Sequence, residues 1–370
     1  GAPGYPSYLL GLLSYDDIKD LAMAGEEELK LSKFFASKTC VLWNPERRRL
    51  VFESKGDMEF IKKLLLEEKV ALDGCKAKYL LKSSSHLGSY LDKVETVLED
   101  IRNGKYYQVN LLRYFKLESL RSISHSQLVL DLIDQWFLKS GPRGSLFVDS
   151  ESFLISYSPE TFVDGCSRDN NEFVLTTCPI KGTAPRGKCK SSDLKQISLL
   201  KNSSKDYAEL SMIVDLMRND FIRLLGVGGV SVTSTPKVET FETVHHLVAQ
   251  ISGHLNKNVS FQYFLRTLFP AGSITGAPKI AAMKRIRELE GRDRRYFMGN
   301  AFVWKLNDSF KSSVLIRTAE VKLDQDKVFA NYAAGSGLVI KSTPSSEAEE
   351  IVIKCKPIVW SQVEMDPSIA

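Results

Sequence analysis

The sequence predicts an α+β protein with large antiparallel sheets, and three features of its 370 residues carry that expectation. Strand-like segments come in clusters with helices inserted between them, not in the one-for-one alternation of βαβ units. Several segments alternate apolar and small polar residues at a period of two, as strands with one buried face do. Others repeat apolar residues every three or four positions between recognisable caps. Hydrophobic residues at 43% and charged residues at 26% supply a sizeable core and argue against a disordered or coiled-coil chain. The length, about twice a ~150-residue domain, fits one large domain or two closely packed ones.

Taken in order, the chain should open with a helical stretch near Asp16 to Lys33, followed by a hairpin. In that hairpin Thr39 to Trp43 and Leu50 to Phe52 flank the turn at Asn44-Pro45. Leu87, Leu91, Val94, Val97, Leu98 and Ile101 recur at helical spacing, and Asn103-Gly104 closes that helix. Ser145 to Tyr157 and Phe173 to Ile180 read as half-buried strands, and Ser198 to Leu225 as one helical stretch of several turns. Pro278 opens a helix through Ile280, Met283, Ile286 and Leu289 to Gly291, with proline in the first turn and glycine just past the end. Ala301 to Leu306 and Phe310 to Val321 read as hairpin strands around Asn307-Asp308. Val328 to Ala333 leads into a flexible loop, Gly335-Ser336-Gly337, and the last helix begins near Ser346, where Ser346 and Glu349 form a capping box.

Fifty basic against forty-five acidic residues leave +5, with no basic stripe interleaved with aromatics, so no nucleic-acid partner is expected. Cys40, Cys75, Cys166, Cys178, Cys189 and Cys355 are scattered without C-x-x-C or zinc spacing, which suits reduced thiols. There is no basic start followed by an apolar run and no apolar stretch of ~18 residues, so membrane spanning is not expected and a cytoplasmic location is. The chain does not begin with methionine, which points to a processed or trimmed chain and leaves any original targeting segment open.

The chemistry-bearing residues concentrate in a few segments. In Pro179-Ile180-Lys181-Gly182-Thr183 an apolar strand ends in lysine and glycine. Gly182 lets backbone approach a ligand, its N–H with that of Thr183 could bind an anion, and a desolvated Lys181 could act as a nucleophile. The plainer alternative is a solvated strand-end lysine. Glu160, in Ser158-Pro159-Glu160, is either a proton donor facing the same cleft or an exposed turn residue. Asp206 and Glu209 share one helix face, and Glu347 and Glu350 repeat that spacing with Lys354 one turn further. Two such pairs could hold a magnesium ion, or could be ordinary acidic residues near helix N-termini. Of His245 and His246, one should pack inward, and the other is free to meet a substrate oxygen. Gly272 to Lys279, with Ser273, is a glycine-punctuated loop entering a helix, and Gly335-Ser336-Gly337 is a second; both could cradle carboxylates. Neither matches a nucleotide fingerprint. Arg317, in an apolar run, wants an anionic partner. Together these describe a cleft for a small polyanion.

Gly104 to Leu111, Ser158 to Glu160, Pro179 to Thr183, Met212 to Asp220, Phe269 to Lys279, Ile316 to Thr318 and Ala334 to Gly337 form an ordered set. With them, from about residue 8 onward, the chain resembles the chorismate-utilising enzymes, most closely the branch that makes 4-amino-4-deoxychorismate. The resemblance implies antiparallel sheets packed face to face with helices outside, and an active site in the cleft between them. It also implies one domain over residues 1–370, with 1–80 a remnant of the N-terminal region and 81–360 the catalytic core. It implies Lys181 as nucleophile at C2 of chorismate and Glu160 as the acid that protonates the departing 4-hydroxyl. Glu209 and Glu350 would bind Mg2+, assisted by Asp206 and Glu347. His246, Ser273, Arg317 and Lys354 would contact substrate, with backbone N–H groups of Gly182, Thr183, Gly335, Ser336 and Gly337. Gln108 stands where water-using relatives carry a lysine, which argues for ammonia, and Lys181 stands where anthranilate synthases carry alanine. Ammonia would come from a separate glutamine amidotransferase subunit, in a transient heterodimer. Phe297 replaces an aromatic hydroxyl common in relatives, and the late start relative to full-length members argues against tryptophan feedback. The alternatives are anthranilate synthesis and a non-catalytic chorismate-binding subunit.

Overall fold

The period-two segments form two large sheets in the computed structural model, which describes residues 8–16, 33–37, 39–44, 49–54, 79–83, 86–119, 122–139, 143–148, 152–168, 172–187, 189–232, 236–240, 244–255, 259–305, 308–355 and 363–365. In spatial order the first sheet runs Val230–Val232, Ile251–Leu255, Glu172–Thr177, Thr161–Arg168, Ser309–Val314, Asn300–Lys305, Tyr8–Leu13 and Lys33–Ser37. The second runs Val363–Met365, Tyr79–Ser83, Gln108–Ser119, Lys327–Leu338, Thr318–Asp324, Ser152–Ser156 and Ser145–Val148. The short strand Gly276–Ala277 pairs with Gln108 and Val109 of that sheet. A third sheet joins Ile180–Pro185, Val244–Val248 and Lys237–Thr240. The pairings at the centre of each sheet are antiparallel, whereas Val363–Met365 lies parallel to Tyr79–Ser83. The helices used below are α1 (Leu87–Arg102), α2 (His125–Lys139), α3 (Lys190–Lys201), α4 (Ser204–Leu225), α5 (Phe261–Leu268), α6 (Lys279–Glu290) and α7 (Pro344–Cys355).

Gln108–Ser119 shows how the layers stack. Leu111, Phe115 and Leu117 join Val94 and Val97 of α1, Leu128 of α2, Ile286 of α6 and Ile351 of α7 in one core. Leu112 and Tyr114, on the opposite face, join Leu13, Phe162, Leu175 and Phe302 of the first sheet in a second core. Both faces of the strand are therefore buried, and its burial is near-continuous where a one-sided strand would alternate. Ile213 and Met217 of α4 and Leu265 and Leu268 of α5 also enter the second core. The α+β expectation holds, with the sheets face to face.

Four local expectations are corrected. Ser198 to Leu225 is not one helix: α3 ends at Lys201, and Ser203 caps α4 by accepting the Asp206 N–H at 3.2 Å. Asn202 and Ser203 favour caps over helix interiors, and that local chemistry outweighs the apolar periodicity. Phe310 to Val321 is not one strand, because the chain leaves the first sheet after Val314, bends at Arg317 (φ 50°) and enters the second at Thr318. Gly335-Ser336-Gly337 is extended within Lys327–Leu338, paired with Leu112, Leu111 and Asn110. Its glycine answers to packing: a Cβ at Gly335 would lie 2.7 Å from Met298 Cε. Finally α7 begins at Pro344, with Thr343 Oγ1 accepting the Ser346 N–H at 3.4 Å, so Thr343 takes the capping role given to Ser346. The hairpin Thr39–Asn44 with Arg49–Ser54 and the helix closed at Asn103 match expectation. The helical stretch between Asp16 and Lys33 lies outside the described residues.

Candidate active site

Two adjacent crossovers between the large sheets build the site. Tyr157 to Glu160 carries the chain from the second sheet to the first, and Leu315 to Arg317 carries it back. They are tied together where the Tyr157 N–H meets the Arg317 carbonyl at 3.0 Å and the Val314 N–H meets the Glu160 carbonyl at 3.2 Å. Glu160 and Arg317 are thereby placed in one region although 157 positions separate them in sequence. Ser158 Oγ accepts the Glu160 N–H at 3.2 Å and fixes the turn that aims the carboxyl.

The half-buried Glu160 Oε1 accepts the Ser273 hydroxyl at 2.6 Å, and Ser273 sits in the 3-10 turn Gly272–Ile274. Burial raises the Glu160 pKa above the ordinary carboxylate value, against the Ser273 hydroxyl and the positive charges of Lys181, Lys354 and Arg317. The same residue thus feels four of the expected site residues at once. A carboxyl whose neutral form is favoured by burial, within the field of a lysine, is the arrangement a proton donor requires.

Lys181 is half-buried at a bulge in Ile180–Pro185, where the pairing with Val244–Val248 shifts between Lys181 and Thr183. Gly182 makes the bulge possible with φ +75°. A Cβ there would lie 2.9 Å from Asp206 Cγ and from Leu200 Cδ1, so the start of α4 is pressed against the residue after the lysine. The two histidines divide as expected. His245 is fully buried, its ring 2.9 Å from both Thr240 Oγ1 and Asp193 Oδ1. His246, on the other face, hydrogen-bonds the Gly182 backbone, and burial together with the nearby Arg317 charge lowers its pKa. Thr183 contributes backbone opposite His246. Arg317 departs from expectation: it stands exposed at the positive-φ bend, where an incoming anion can reach it.

On the remaining side α7 lies over the glycine strand. Glu347 accepts the buried Ser336 hydroxyl, Lys354 Nζ donates to the Gly335 carbonyl at 2.8 Å, and Lys354 pairs with Glu350 at 2.6 Å. The ladder to Thr318–Asp324 ends at Tyr332, so one edge of Gly335–Gly337 lies beyond that partner strand. Gln108 is buried, with no partner for its Nε2 among the described residues, and a Cβ on Gly337 would lie 3.3 Å from that nitrogen. Phe297 is buried edge-on to Tyr114.

The four expected metal carboxylates occupy two helices: Asp206 and Glu209, half-buried, on α4, and Glu347 and Glu350 on α7. Among the described residues no group of three or more His, Cys, Asp or Glu side chains stands close enough to hold a metal. A cavity of about 510 Å³ lies elsewhere along α4 and is lined by Leu210, Val214, Arg218 and Ala249. The cysteines Cys166, Cys178, Cys189 and Cys355 are free. No helix among the described residues is long and apolar enough to cross a membrane.

Three contributors escaped the sequence reading. Asn110 grips the Ser273 turn, the buried Arg294–Glu290 pair supports it, and Lys279 is buried against Asp220. Asn110, Asp220, Lys279 and Glu290 are polar residues inside a helix or strand pattern, a signal that marks buried partners without naming them, and Arg294 follows the helix end at Gly291.

Residues 2–359 match the family of chorismate binding enzymes, and the chain belongs to that family. It is 37% identical over 270 residues to aminodeoxychorismate synthase component 1 of Escherichia coli (strain K12), covering 73% of this chain and 56% of that protein. It is 29% identical over 367 residues to anthranilate synthase component 1 of Saccharolobus solfataricus, covering 95% and 79%. The chain thus spans about half the length of the curated aminodeoxychorismate synthase component 1 relatives, 56% of both the Escherichia coli and the Salmonella typhimurium proteins. Among solved structures, anthranilate synthase component I from Streptococcus pneumoniae TIGR4 shares the fold, with TM-score 0.75 at 24% identity over 97% of this chain and 82% of that one.

Proposed function

We propose that the chain aminates chorismate at C4 with ammonia, giving 4-amino-4-deoxychorismate on the route to 4-aminobenzoate and folate. The observation that supports this reading best is the pairing of a half-buried strand-end lysine, Lys181, with a carboxyl of raised pKa, Glu160, inside a ring of positive charge. Lys181, as the free amine, adds at C2 while the ring double bonds shift. The 4-hydroxyl leaves as water with the proton from Glu160. Ammonia then bonds to C4 as the double bonds shift back and the Lys181 nitrogen leaves C2, so that chorismate and ammonia become the amino product and water. His246, Ser273, Arg317, Lys354 and the backbone of Gly182, Thr183 and Gly335–Gly337 orient the two carboxylates of the substrate. Gln108 offers no base to activate water.

On this reading Glu209 and Glu350 would supply the hard oxygen donors that Mg2+ takes, with Asp206 and Glu347 assisting through water. That ion is satisfied by one or two carboxylates with water and substrate oxygens. When bound it would hold the ring carboxylate of chorismate. The ammonia would come from a separate glutamine amidotransferase subunit, in the cytoplasm. A second reading, anthranilate synthesis with release of pyruvate, is favoured by the longer match to the Saccharolobus protein. Liquid chromatography with mass detection separates the two when the chain is given chorismate, Mg2+ and ammonium at mildly alkaline pH. An amino-chorismate that becomes 4-aminobenzoate only with added lyase supports amination at C4. Anthranilate with pyruvate supports the second reading, isochorismate points to water, and no turnover even with a glutaminase favours a non-catalytic subunit.

A further inference from the structure

The turn that carries Ser273 is held by its carbonyls from outside. Asn110 Nδ2 donates to the Ser273 carbonyl at 3.1 Å and to that of Thr275 at 3.2 Å, and the Asn110 N–H donates to Thr275 at 2.8 Å. Arg294 Nη1 takes the intervening Ile274 carbonyl at 3.2 Å, and its Nη2 returns to the Asn110 carbonyl at 2.8 Å. Arg294 is locked in turn by Glu290 at 2.6 Å, with both side chains almost fully buried, 1% and 2% exposed. Three consecutive carbonyls of a short turn therefore have assigned donors, and Asn110 supplies two of them. The hydroxyl so placed sits 2.6 Å from the Glu160 carboxyl.

We propose that Asn110 is a positioning residue that sets the Ser273 hydroxyl on Glu160. It touches neither reacting atom, and its position near the start of a buried strand, paired on both sides, makes the reference point rigid. The inference rests on Glu160 as the proton donor. A purely structural asparagine would only satisfy buried carbonyls, and its loss would lower stability without altering how Glu160 titrates.

The sign follows from the chemistry of the contact. A hydroxyl donating to a carboxylate favours the ionised form, so releasing Ser273 lets the Glu160 pKa rise further, and the protonated acid persists to higher pH. The test compares Asn110→Ala, Asn110→Ser, Ser273→Ala and the Asn110→Ala/Ser273→Ala pair in ammonia-dependent turnover across pH. Expected for Asn110→Ala are a kcat lower by about tenfold to a hundredfold, a nearly unchanged KM for chorismate, and an alkaline limb moved upward. Asn110→Ser, which keeps one donor, recovers part of the loss. The double variant is no slower than Ser273→Ala alone, since both changes remove one interaction. Multiplying losses, or an alkaline limb that stays in place in Asn110→Ala, overturns the proposal. Glu160→Gln guards the premise: if it leaves the alkaline limb intact, the proton-donor assignment fails instead. Amide hydrogen exchange reads the positioning without activity. Exchange over residues 272–276 should quicken in Asn110→Ala while α6 stays protected, and an equally protected turn overturns the proposal whatever the turnover.

Discussion

Removing the amine of Lys279 tests whether a buried ion pair, more than apolar packing, pins the Ser273 segment to α4. Lys279 Nζ lies 2.6 Å from Asp220 Oδ2, the side chains are 9% and 6% exposed, and the amine also donates to the carbonyls of Leu268 and Pro270 at 3.3 and 3.1 Å. Burial pushes the Asp220 pKa up and the Lys279 pKa down, each against the attraction of its partner. Desolvation therefore outweighs the Coulombic gain, and the pair locates the segment more than it stabilises the fold. Lys279→Met strands a buried carboxylate and should cost about 3–5 kcal/mol. Asp220→Leu/Lys279→Met removes both charges and leaves the two carbonyls short of a donor, at about 1–3 kcal/mol each if water cannot replace it. The double variant should consequently be more stable than Lys279→Met. In that single variant the folded-state pKa of Asp220 rises further above its unfolded value. A group shifted that way adds stability at low pH that is lost as pH rises through the folded pKa, so the penalty grows with pH. Urea unfolding midpoints of parent, single and double variants at several pH values measure this. A penalty for Lys279→Met that does not change with pH, or a double variant no better than the single, would refute the reasoning.

Lys181→Ala should abolish or greatly slow amination while chorismate still binds, read as product formation beside equilibrium titration; unchanged turnover removes Lys181 from the mechanism. Glu350→Gln should raise the Mg2+ concentration needed for half-maximal turnover by roughly tenfold or more, and an unaltered requirement excludes that carboxylate as a ligand. Gly182→Ala meets both a positive φ and a Cβ position 2.9 Å from Asp206, so it should cost about 1–3 kcal/mol and depress turnover, seen in thermal melts and kcat. Glu160 carries a raised pKa in the fold, so its stabilising contribution is present at low pH and lost as pH rises through that pKa. Glu160→Gln should therefore melt higher than the parent at neutral pH, with the difference vanishing in acid.

The fold was legible where one physical signal dominated. Leu87 to Arg102 could be bounded from its apolar spacing and Asn103-Gly104, and α6 from Pro278 and Gly291, whose left-handed backbone (φ 63°) ends the helix. Reading failed where two elements share one apolar run. Nothing in Phe310 to Val321 marks the change of sheet, because both strands bury the same residue types and the bend at Arg317 uses a non-glycine residue. Glycines misled in the opposite way. Gly335 and Gly337 read as a loop because flexibility is the usual reason for such a pair, whereas here closeness to Met298 and Asn110 requires them inside a strand.

That distinction also decides how the candidate site could be foreseen. Residues proposed to meet a ligand directly, Lys181, Glu160 and Arg317, stand at strand ends and crossovers, where a charged side chain interrupts an apolar pattern and is visible in one dimension. Residues proposed to act through others sit inside a strand (Asn110), inside a helix (Asp220) or beyond the end of α6 (Arg294), and each has a partner 59 to 184 positions away. The 59-position reach is the one fixed across α4 and α6 by Lys279, and the 184-position reach is fixed by Arg294 on Asn110. On the proposed mechanism their effect on chemistry passes through a turn of three residues that places the Ser273 hydroxyl on Glu160. A change in either support should therefore be read in the titration of Glu160, because the turn presents the Ser273 hydroxyl to that carboxyl.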